Sequence, residues 1–203
     1  LVYDVPGEAV NTLRSSFTAD LERVFDALGK DPAVKAIILV SGKSDSWIAG
    51  ADIEMIQGLG TATEAAEMCR KGHKAILSLV DSPKPVVAAV HGAALGGGFE
   101  VALACHGRVL SDDRKTTLAL PEVQLGLLPG LNGLQRLSAI VGLQAALDYG
   151  LTGKNMRAAK ARSLGVADEV VPAAILREVA AQHALKLAEK GQPFGKRAPK
   201  KAK

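Results

Sequence analysis

Residues 86–90 are a continuous apolar run rich in valine. They lead through a glycine-rich stretch at 92–98 into a second apolar segment at 99–105. A run of five residues that is apolar on every side is too short for a helix. It reads as a strand buried on both faces, which requires helices on both sides of its sheet. The segment after the glycines reads as the start of a helix. Strand, glycine turn and helix therefore form the central unit, and this constrains the fold more than any other feature of the chain.

The flanking sequence repeats that alternation. Residues 1–5 read as a strand ended by Pro6 and Gly7, and 36–40 as a second buried strand. Apolar residues at steps of three and four predict helices over 12–28 and 64–79. Short strands are expected at 108–111 and 116–120, and helical segments at 134–140, 143–149, 158–164 and 173–190. Strands alternating with helices give an α/β layered fold. No fixed-period repeat stands out.

The 203 residues fit one domain, expected over 1–190, with 191–203 a basic tail or the start of a linker. The net charge of +4 points away from nucleic acid once it is located. Five cations lie in the last nine residues, and the rest balances 20 Lys/Arg against 21 Asp/Glu. No apolar run reaches the roughly 18 residues of a membrane span, and no secretory pattern opens the chain. Cys69 and Cys105 cannot form a disulfide framework. A soluble, cytoplasmic protein without stable membrane insertion is the expectation.

Several familiar motifs fail. Gly42, Lys43 and Ser44 follow a strand as in a phosphate-binding loop, but Ile37 stands where its first glycine belongs. Gly96 and Gly98 begin a dinucleotide fingerprint whose third small residue is replaced by Val101. There is no Gly-x-Ser-x-Gly elbow. Cys69 and His73 are spaced as ligands on one helix face but lack a second pair, so no metal is expected. His91, His106 and His183 read as structural.

The glycine triplet Gly96, Gly97 and Gly98 carries chemistry. Glycines between a strand and a helix let a ligand approach the main chain, and N–H groups at a helix start suit an anionic oxygen. Gly97 can donate to a carbonyl becoming an enolate. Glu100 follows by one turn and so shares the triplet's side of the helix. On its own it reads rather as a first-turn acid stabilised by the helix dipole. Glu122, behind Pro121 in an apolar stretch, reads either as a loop carboxylate bonded to a main-chain N–H or as a buried acid with a raised pKa.

Three segments together decide between these readings. They are Ile48, Ala49, Gly50, Ala51, Asp52, Ile53; then 91–100 with the triplet and Glu100; then 120–130 with Pro121, Glu122, Pro129 and Gly130. They closely resemble the enoyl-CoA hydratase/isomerase, or crotonase, family, and 151–154 and 164–172 resemble its downstream signatures. Residues 4–13 and 32–36 are most similar to the hydratase portion of multifunctional fatty-acid oxidation alpha subunits, in which a 3-hydroxyacyl-CoA dehydrogenase follows on the same chain.

The resemblance implies a spiral of repeated ββα units, with the helical C-terminal part cut short. It implies Glu100 and Glu122 as catalytic carboxylates, with Ala51 and Gly97 N–H groups forming the oxyanion hole. It further implies that Ala49, Ala51 and Ile53 contact coenzyme A and that Gly130 is a substrate-binding position. Asp52 reads as a capping residue. The implied reaction is hydration of a trans-2-enoyl-CoA in fatty-acid β-oxidation, a lyase activity, with Δ3,Δ2-isomerase activity possible on the same carboxylates. No cofactor is implied, because coenzyme A arrives as part of the substrate. The implied partners are an acyl-CoA thioester and either copies of the chain in a trimer or dehydrogenase and thiolase activities. Other crotonase chemistry (isomerase, hydrolase, dehalogenase) and an inactive acyl-CoA-binding module are the alternatives. Leu131, Asn132 and Leu134 depart from the family pattern. Asn132 can take the left-handed backbone of the usual glycine, while the two leucines bear on pocket shape.

Overall fold

In a computed structural model of the protein, which describes residues 1–194, strand β4 (Val86–Val90) is buried along its whole length at the centre of a parallel sheet. Its side chains alternate between the two faces, as a strand demands. Val86, Ala88 and Val90 enter the main core, while Val87 and Ala89 join a second cluster on the opposite face. Leu176, Ala180 and Ala184 cover that second face, spaced four apart along helix α8 (Leu176–Lys190).

The order of the large sheet is β1 (Val2–Tyr3), β2 (Ile37–Ser41), β4, β6 (Gly107–Ser111) and β9 (Glu169–Val171), all parallel. The smaller sheet runs β3 (Ser46–Ile48), β5 (Ala93–Leu95), β7 (Thr117–Ala119) and an antiparallel β8 (Met156–Arg157). The chain thus visits the large sheet, then the small one, then forms a helix, three times over. After β3 come α2 (Ile53–Gln57) and α3 (Ala62–Val80); after β5, α4 (Gly97–Ala104); after β7, a 3-10 turn (Pro121–Leu125) and α5 (Gly133–Val141). This is the expected spiral of ββα units. Helices α6 (Leu143–Thr152) and α7 (Ala158–Leu164) lie between α5 and β9.

Helix α1 (Phe17–Lys30) begins five residues later than its apolar period predicts. Leu13 keeps that spacing but is extended, its N–H bonded to the Gly50 carbonyl at 2.8 Å. A tertiary pairing has overridden local propensity. Helix α3 matches expectation and starts on a capping box, in which Thr61 and Glu64 satisfy each other's main-chain N–H groups. No described helix is long and apolar enough to cross a membrane. Most of the basic stretch expected at 191–203 lies outside the described residues.

Candidate active site

The glycine triplet is forced by its surroundings. Gly96 has φ 51°, a conformation that L side chains rarely adopt, and a Cβ there would lie 3.0 Å from Glu122 Oε1. On Gly98 a Cβ would fall 2.1 Å from the Ile48 carbonyl oxygen, so only glycine lets α4 settle on β3. As first residue of α4, Gly97 has an N–H with no acceptor inside the helix.

A second N–H approaches the same place. Leu13 pairs with Ala51 in a parallel bridge, donating to the Gly50 carbonyl and accepting from Asp52 N at 3.2 Å. In such a bridge the N–H of the middle residue points away from its partner strand. Ala51 N lies 3.7 Å from the position a Cβ on Gly97 would take, and Gly97 N lies 3.9 Å from the equivalent position on Gly50. The two amides named from the sequence therefore border one small space.

Glu100, in the first turn of α4, is only 1% exposed. Its Oε1 accepts hydrogen bonds from the N–H groups of Leu131 and Gly133, each at 2.7 Å. The turn between them depends on Asn132, whose φ of 67° is left-handed, as its sequence position predicts. A side chain on Gly133 would strike Glu100 Cγ at 2.7 Å. Arg136 braces the turn from behind by donating to the Leu131 carbonyl. Burial pushes the Glu100 carboxyl up to about 7; the two amides and the Arg136 charge oppose this, and the Glu122 charge adds to it.

Glu122 sits in the 3-10 turn behind Pro121. One carboxylate oxygen rests against Gly96; the other, Oε2, is buried with no hydrogen-bond partner among the described residues. Burial raises its pKa as well. The two carboxylates are thus unequal in their partners: two amides hold Glu100 Oε1, whereas Glu122 Oε2 has none among the described residues.

The remaining candidates divide. Asp52 caps α2, accepting from Glu54 N at 3.0 Å, in keeping with a capping role. Ala49 spends its N–H on the Asn11 carbonyl, so a main-chain contact to a ligand falls to its own carbonyl. Ile53 is exposed at the start of α2, and Gly130 is half-buried against Cys69 of α3. Leu134 packs on Gly150 of α6, away from the amides, whereas Leu131 faces them. His106 is structural: Val86 N donates to its Nδ1, and its Nε2 lies 3.2 Å from the Val80 carbonyl. Leu13 and Arg136 escaped notice in the sequence. The first was hidden in a helical period, and the second is an ordinary cation until the turn it braces is seen.

The comparisons with known proteins bear on the family and the fold. A family model described as enoyl-CoA hydratase/isomerase matches residues 6–201. The fatty acid oxidation complex subunit alpha of Shewanella putrefaciens is 48% identical over all 203 residues, which are 28% of that relative; the chain spans under a third of such relatives' length. Among solved structures, an enoyl-CoA hydratase of Geobacillus kaustophilus superposes with a TM-score of 0.85 at 30% identity, covering 92% of this chain and 70% of that one. Pseudomonas aeruginosa DspI gives 0.84 at 30% identity, over 95% and 77%. With a family model matched over nearly the whole chain and the ββα spiral shared with a solved hydratase, the chain belongs to the enoyl-CoA hydratase/isomerase family.

Proposed function

We propose that the protein adds water across the double bond of a trans-2-enoyl-CoA to give a 3-hydroxyacyl-CoA, as a step of fatty-acid β-oxidation. The observation that carries this reading is the unequal pair of buried carboxylates, Glu100 held by two amides and Glu122 with a bare oxygen, beside two converging N–H groups.

The thioester carbonyl lies between the N–H groups of Ala51 and Gly97. These stabilise the enolate-like transition state, each such donor being worth on the order of 3 kcal/mol of barrier. Glu100, ionised, takes a proton from a water whose oxygen bonds to C3. Glu122, protonated, delivers its proton to C2. Both additions come from the side on which the carboxylates sit, giving syn stereochemistry, and proton exchange between the two groups restores the starting state. Coenzyme A enters only as part of the substrate; the main chain of Ala49 and Ala51, with Ile53 and Gly130, supports its binding. The same carboxylates can move a proton between C4 and C2, which supports a Δ3,Δ2-isomerase side activity.

Glu100→Gln and Glu122→Gln are each expected to lower the hydration rate by several powers of ten, followed as loss of the conjugated thioester's absorbance, with acyl-CoA affinity nearly unchanged. Wild-type-like turnover in both variants rules the mechanism out.

Exposed leucines at 125, 128, 143 and 151 support an assembly that covers them, either a trimer of this chain or a complex with dehydrogenase and thiolase activities. A bacterial cytoplasmic setting fits that role.

A further inference from the structure

The acyl chain must leave the carbonyl through whatever space the side chains around the two amides allow. The position a Cβ on Gly97 would take samples that space: Leu13 Cδ1 lies 2.9 Å from it, and both Ala51 N and Leu131 Cδ1 lie 3.7 Å from it. Leu131 also reaches the opposite way. Its Cδ2 lies 2.5 Å from the Cβ position of Gly72, in the middle of α3. One side chain therefore spans from the amide pair to a neighbouring helix. It cannot swing aside with its loop, because its N–H is bonded to Glu100 and its carbonyl to Arg136. The absence of a side chain at Gly72 is what makes room for it.

We propose that Leu131 is the stop that closes the acyl pocket toward α3 and restricts this enzyme to short acyl chains. The inference rests on the hydratase reading and adds the substrate class to it.

The test compares kcat/KM for four-carbon and ten-carbon trans-2-enoyl-CoA. The wild-type protein is expected to favour the shorter thioester. Leu131→Ala is expected to raise the ten-to-four-carbon ratio by about tenfold or more, the scale on which pocket shape discriminates alkyl groups. Gly72→Ala drives Leu131 toward the amides and is expected to lower the ratio. Should Leu131→Ala not fold, Leu131→Val removes a single methylene and reads the same ratio. A wild-type preference for the ten-carbon thioester, or a ratio unmoved by shortening Leu131, overturns the proposal. If neither thioester is hydrated, the hydratase reading fails by itself. The stop is then judged from the affinities of saturated four- and ten-carbon acyl-CoA for wild type and variants, where an unchanged affinity ratio overturns it.

Discussion

Glu100 is held at the expense of stability. In the unfolded chain its carboxyl ionises near the ordinary glutamate value of 4.5, and in the fold burial moves this to about 7. Between those values the folded state binds more protons than the unfolded one, so stability falls as pH rises. The group's contribution is complete below 4.5 and lost as pH passes through 7; once ionised, Glu100 weakens the fold by about 3 kcal/mol. Glu100→Gln keeps an oxygen for the amides of Leu131 and Gly133 but has no charge to desolvate. Urea denaturation should find it more stable than wild type at pH 8, by up to about 3 kcal/mol, and equal at pH 4. An equal difference at both values would mean that the carboxylate is solvated. In the mechanism proposed above catalysis follows the opposite sign, because the anion of Glu100 would activate the water, so hydration by the wild-type protein should decline below about 7.

Among the elements, the left-handed turn at Asn132 governs how Glu100 is held. A left-handed backbone costs a residue with a Cβ roughly 1–2 kcal/mol, and asparagine tolerates it better than most. Asn132→Gly should therefore be close to neutral, since relief of strain offsets the greater freedom of the unfolded chain. Asn132→Ala should lose about 1 kcal/mol in urea denaturation and part of the hydration rate, because the Leu131 and Gly133 N–H groups lose their aim together. A fully active, fully stable alanine variant would remove the turn from the mechanism. That turn was legible in the sequence through Asn132 alone. Strands β3 and β5 were not legible: each has three residues, and β5 lies within the glycine-rich stretch, where composition favours a loop. Their pairing is a tertiary fact, set by Ser46 opposite Ala93 and by Gly98 admitting the Ile48 carbonyl.

Across the whole molecule, the long buried runs were readable because burial leaves a compositional mark, whereas the two glutamates stood out only through the family resemblance. The ties between layers were not readable, since they depend on residues distant in sequence. Arg108 is the clearest of these. It is a buried cation of β6, and its guanidinium donates to the carbonyls of Ala102 and Cys105 at the end of α4 and of Val166 on the approach to β9. Its own N–H donates to Asp168, 60 residues on. One side chain therefore closes the helix that carries Glu100 and joins it to the edge of the large sheet. Substitution by methionine keeps the volume but takes this donor from three carbonyls, of which Ala102 still accepts from the Cys105 N–H; each unmet group costs about 1–3 kcal/mol. Relief of the buried charge offsets part of that. Arg108→Met is expected to lose about 3 kcal/mol in urea denaturation, with amide exchange in α4 and β9 accelerated together. If exchange quickened in one of the two and not the other, Arg108 would be a local cap on α4 rather than the link between the helix that carries Glu100 and the sheet.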